Sequence, residues 1–111
     1  MTTPASNSLD RLRAMCGGPR DGVLLRMTLA NAFLAQGDAI SAAAHLARAL
    51  EFNPDYSAAW KLLGKTLADV GDAPSAISAY QKGIAAAIKC GDKQAEKEMA
   101  VFLRRLEKTQ I

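Results

Sequence analysis

Side chains capable of covalent or metal chemistry are few in this sequence and widely scattered. His45 is the only histidine, and the two cysteines, Cys16 and Cys90, stand near opposite ends of the chain. Nucleophilic catalysis needs a nucleophile within reach of a base, and neither cysteine belongs to a CxxC pair or a Cys/His cluster. That spacing argues against a disulfide scaffold and fits a reducing compartment. The sequence contains no glycine-rich phosphate loop, no nucleophile elbow and no metal-ligand cluster. His45 falls among alanines within a helical stretch, where a surface or half-buried structural ring is the simpler reading. Neither catalysis nor a cofactor nor a metal is expected.

The remaining chemistry is electrostatic. A formal charge of +3 and a pI near 9.1 make the chain mildly basic, which bears on solubility and encounter more than on fold. Lys89, Lys93, Lys97, Arg104, Arg105 and Lys108 cluster late in the chain, but Asp92, Glu96, Glu98 and Glu107 interrupt them. No base-stacking aromatics accompany that set, so nucleic acid is not the expected partner. Arg11, Arg13 and Arg20 make the N-terminal end basic and read as a solvated face.

These groups must be carried by helices. The chain has 111 residues, enough for one domain with one modest core. Half of the residues are apolar but only 5% are aromatic, and alanine dominates. Alanine favours helix over strand. No apolar run is long enough to span a bilayer, and residues 1–6 lack the basic and apolar regions of a signal peptide. A soluble cytoplasmic protein with no membrane partner is expected.

One stretch organises the rest. Gly37-Asp38-Ala39-Ile40-Ser41-Ala42 returns 34 residues later as Gly71-Asp72-Ala73-Pro74-Ser75-Ala76. Glycine can end a helix in the left-handed conformation, and aspartate can cap the next one. A third pair, Gly91-Asp92, arrives early and starts one more helix. Ser8 is a plausible cap for a short first helix bearing Leu9, Leu12 and Met15, closed by Gly17-Gly18-Pro19. Asp21 is the next predicted cap, followed by helical patterns over about 22–36, 39–52, 55–70, 73–89 and 93–108. The last carries Ala95, Met99, Phe102, Leu103 and Leu106 on one face and charges on the other.

A helix–turn–helix unit repeating near 34 residues is the signature of a helical solenoid. At this point the sequence resembles the tetratricopeptide repeat family. The second unit matches its pattern at Trp60, Leu63-Gly64, Leu67, Ala76, Tyr80 and Gly83. The first matches at Leu29-Ala30, Phe33, Ala42, Leu46, Ala49 and Pro54. Arg26 stands where the second unit has Trp60, and Ile88 where the first has Pro54, so the fifth helix is expected to run on. The predicted fold is all-α: a short right-handed solenoid of two repeats, with a short N-terminal helix and a C-terminal capping helix. The expected divisions are 1–20 (flexible, with the short helix), 21–55, 56–91 and 92–111.

The resemblance implies a non-catalytic interaction module whose concave face holds a peptide or helix of a partner protein. Carried over residue by residue, that face comprises Leu24, Met27, Asn31 and Leu34 from the first unit. The second supplies Ala58, Lys61, Lys65, Ala68 and Asp69. Such a surface is apolar on one side and basic on the other, which suits an apolar anchor beside a carboxylate. Asn31 matches one position of the carboxylate clamp used by chaperone-binding members, but Met27 and Leu62 stand where lysine and asparagine belong. Chaperone-tail binding is therefore not expected. Two alternatives stay open. The N-terminal helix could cover Leu24, Met27 and Leu34 while Lys61 and Lys65 are merely solvated near Asp69. Or an uncapped end could pair with a second copy, giving a weak homodimer in place of a monomer.

Overall fold

The computed structural model describes residues 4–109, so expectations for residues 1–3, 110 and 111 lie outside them. Six helices follow in order: α1 Pro4–Ala14, α2 Val23–Ala35, α3 Ala39–Phe52, α4 Ser57–Asp69, α5 Ala73–Cys90 and α6 Lys93–Thr109. Helices α2–α3 and α4–α5 form two hairpins, and α6 packs beside α4 and α5. The stack measures 48 × 28 × 19 Å, an elongated shape consistent with a short solenoid.

All three Gly-Asp turns are built alike. Gly37 and Gly71 adopt φ of 78° and 86°, values that cost glycine little. The Asp38, Asp72 and Asp92 amides donate back to Phe33, Leu67 and Ala87 carbonyls at 2.9, 2.9 and 2.8 Å. Their carboxylates then accept from the Ser41, Ser75 and Ala95 amides at 3.1, 3.2 and 3.1 Å. Each turn thus closes one helix and caps the next.

Two expectations at the N-terminal end need correction. Helix α1, described over Pro4–Ala14, already runs through Ser8, so Ser8 is not its cap. Asp21 does not cap α2, whose N-cap is Gly22 with no side-chain bond. Its carboxylate instead receives Arg26 Nε at 2.9 Å and Nη2 at 2.8 Å. The charge-assisted fork from Arg26, rather than a capping bond to α2, engages both oxygens.

The core begins where α1 meets the first hairpin, with Leu9, Leu25, Leu29, Phe33, Leu46 and Leu50 buried. Leu12, Met15, Met27 and Leu34 pack against its edge. A second cluster of Tyr80, Ala87, Ala95 and Met99 joins α5 to α6, and Trp60 touches both clusters. Close approach is enforced at Gly64, where an added Cβ would lie 2.6 Å from Tyr80 Cε1. Ile88 is exposed on α5, which continues to Cys90. Among the described residues, no helix is long and apolar enough to cross a membrane.

Candidate functional site

Helix α6 does more than cover an end: it forms one wall of a trough whose other wall is α4. Lys61 Nζ on α4 donates to Glu98 Oε2 on α6 at 3.0 Å. Gln94 Nε2 donates to the other Glu98 oxygen at 3.0 Å. These two bonds, Lys61's first, hold the Glu98 carboxyl below its usual range. A hollow of about 260 Å³ lies here, lined by Lys61, Leu62, Lys65, Glu98 and Phe102.

Lys65 and Phe102 also line a second hollow of about 230 Å³ between α4, α5 and α6. Ala68, Tyr80, Phe102 and Leu106 give it apolar walls, and Lys65, Asp69 and Arg105 bring charge. The Tyr80 and Phe102 rings meet with centroids 5.7 Å apart, tilted by 34°. Burial, then nearby Asp69, raises the Tyr80 phenol above its ordinary value, so it stays neutral. Among the described residues no ion pair forms to Lys65 or Arg105 within 4 Å. The trough therefore pairs an apolar pocket with two cations and Asp69, and among the described residues neither cation is locked in an ion pair.

The predicted site residues divide sharply. Lys65, Ala68 and Asp69 come together at the pocket, and Lys61 joins the adjacent hollow. Lys61 is not a solvated lysine near Asp69, because Glu98 on α6 takes its ammonium. Lys65 likewise makes no ion pair with Asp69 despite the favourable helical spacing. Ala58 is exposed near the start of α4. On α2, Met27 and Leu34 are half-buried against the core, while Asn31 is exposed and donates to the Met27 carbonyl at 3.1 Å. Leu24 is 82% exposed, so α1 does not cover it. None of these four α2 residues lines either hollow. Sequence reasoning missed Tyr80, Glu98, Phe102, Arg105 and Leu106 as site residues. The available signal was the third Gly-Asp turn, which gives α6 the same entry as its predecessors.

Catalytic groups remain apart. Cys16 and Cys90 are both free thiols, and Cys90 Sγ lies 3.5 Å from the Asp55 carbonyl. His45 instead faces Arg26. Among the described residues no group of His, Cys, Asp or Glu is arranged to hold a metal.

A tetratricopeptide repeat family model matches residues 33–90, which include most of both hairpins. The chain belongs to the tetratricopeptide repeat family. A TPR repeat-containing protein of Pseudomonas aeruginosa is 48% identical over 100 residues, covering 90% of this chain and 95% of that protein. A solution structure of a Bordetella parapertussis protein superposes with a TM-score of 0.76 at 43% identity, covering 98% and 91% of the two chains. The tetratricopeptide repeat domain of Sgt2 from Aspergillus fumigatus gives a TM-score of 0.69 at 27% identity, with 96% and 70% covered. Tetratricopeptide repeats generally mediate protein–protein interaction and are typically non-catalytic.

Proposed function

We propose that the trough between α4 and α6 receives a segment of a partner protein, making the chain an adaptor or assembly factor in the cytoplasm. The observation carrying this reading is the pocket itself. Its walls are Ala68, Tyr80, Phe102 and Leu106, and Lys65 and Arg105 stand over it with no ion-pair partner among the described residues. Burying one large apolar side chain gives about 1.5–3 kcal/mol, and two cations beside it select for a neighbouring carboxylate. Lys61 contributes less, since its charge is already matched by Glu98.

Of the concave-face residues that the family resemblance implies, this reading keeps Lys65, Ala68 and Asp69 at the centre. Leu24, Met27, Asn31, Leu34 and Ala58 become an outer approach. An amide chemical-shift titration with short acidic peptides carrying one Phe or Leu tests the assignment. Shifts should centre on Lys65, Phe102 and Arg105 and weaken in Phe102→Asp. Shifts confined to the chain ends refute the trough. A second reading, self-association, draws on Leu24 and Ile40 of the first hairpin, 82% and 80% exposed. Light scattering across a concentration series decides it, because a constant monomer mass removes it.

A further inference from the structure

The first hairpin departs from the second at positions that meet in space. Arg26 and His45 stand where the second repeat has Trp60 and Ala79, and Asp21 corresponds to Asp55. Asp21 and Arg26 form an ion pair whose side chains are only 5% and 9% exposed. Asp21 Oδ2 also accepts from the Gly17 amide at 2.8 Å, tying down the turn that follows α1. The remaining arm of the fork, Arg26 Nη1, lies 3.1 Å from His45 Nδ1. The His45 ring stacks on Phe33, with centroids 5.3 Å apart and planes within 7°.

This geometry fixes the histidine's proton. Arginine has donors only and stays charged, so His45 Nδ1 must be the acceptor and the ring is neutral with its proton on Nε2. We propose that the Asp21–Arg26–His45 cluster is a proton-sensitive latch holding α1 on the first hairpin, and that protonating His45 releases α1 while the second hairpin and α6 stay folded. The proposal is independent of the trough.

The charges around the ring make protonation disruptive. Arg26 faces it from α2, Arg13 from α1 and Asp21 from the connecting turn. Cys16 and Glu51 act on Arg26 rather than on the ring. Among the described residues Asp21 is the one anion acting on His45, and its oxygens already accept from Arg26 and Gly17. A proton on Nδ1 would turn an acceptor into a donor aimed at a donor and add a third cation beside Arg13. Helix α1 has little to resist this with: of its side chains described, Leu9 is buried, Leu12 is half-buried, and the others are exposed.

Burial first, then Arg26 and Arg13, push the His45 ring below the ordinary histidine value of 6.5. Arg26 stays beside the ring when α1 leaves but Arg13 departs with α1, so the docked state binds the proton more weakly than the released state. Docking is complete above the released-state value and is lost as pH falls toward the docked-state value, by about tenfold per pH unit in that window.

Hydrogen-exchange protection factors between pH 7.5 and 4.5, together with an NMR titration of the His45 ring, test the latch. Amides of α1 and the 17–22 turn should lose about tenfold protection per pH unit below about pH 6 while α4 and α5 hold. His45→Asn supplies an acceptor oxygen that cannot titrate, so its α1 protection should stay flat with pH. The latch is overturned by flat α1 protection in the unaltered protein, by a ring titrating at or above the ordinary value, or by an equal loss in His45→Asn. Simultaneous loss of protection in every helix overturns it as well.

Discussion

Gly64→Ala sets two physical effects of opposite sign against each other. Alanine is favoured over glycine inside a helix by about 1 kcal/mol. Propensity alone thus makes the variant more stable than the parent. The structure argues otherwise, because a Cβ at residue 64 would lie 2.6, 2.7 and 2.8 Å from three atoms of the Tyr80 ring. Tyr80 is 3% exposed and its ring meets Phe102, so it can withdraw only by shifting into the hollow it lines and giving up that ring contact. Overpacking of this kind costs about 1–3 kcal/mol. Taking a cost of about 2 kcal/mol against the propensity gain leaves a net loss of about 1 kcal/mol, or a Tm lowered by about 4–8 °C. The first repeat supplies a rescue, since it has Ala30 and Leu46 at the positions of Gly64 and Tyr80. In a Tyr80→Leu background, Gly64→Ala should become neutral or stabilising, with a coupling of about 1–2 kcal/mol. Urea denaturation of the four proteins in the cycle measures this. The reasoning fails if Gly64→Ala stabilises the parent, or if its effect is the same in both backgrounds.

The other expected outcomes concern the two ends of the solenoid. Met99 is fully buried between α6 and α5, so Met99→Ala should cost about 2–5 kcal/mol. Denaturation by urea would read the loss, and an effect under about 1 kcal/mol would mean that α6 contributes little to the folded unit. The Arg26 fork, with the Gly17 amide, holds Asp21 far below its ordinary value of 3.8. Its stabilisation is therefore present above pH 3.8 and lost as pH falls below that value. Asp21→Asn should be less stable at neutral pH and show a shallower acid limb than the parent in thermal melts between pH 5 and 2.

Helix placement was legible because its signals are local. The Gly-Asp turns and the apolar spacing act within a few residues, and the turns give the helix ends that they predict. Buried Met99 and Ala95 likewise follow from the apolar face of the last helix. Asp21 shows where such reasoning stops. Its position suits a helix cap, but a guanidinium five residues ahead competes for the same carboxylate and wins with two bonds. Local pattern cannot rank those partners, because the outcome depends on burial that the whole first hairpin creates. The same holds for Lys61, which by spacing belongs to a solvated helix face but in three dimensions meets Glu98.

The sequence by itself determined the repeat, its all-helical units and its family, since capping and helical periodicity are properties of short segments. The family resemblance also implied Lys65, Ala68 and Asp69 as part of a concave face, and their spacing lets them gather along α4. Only the tertiary structure decided what faces them. Phe102, Arg105 and Leu106 reach that face because Gly91-Asp92 turns α6 back against α4, and Tyr80 joins them from α5. A pocket shared by three helices forms from crossing distances and side-chain volumes, and those are set by packing rather than by any stretch of chain.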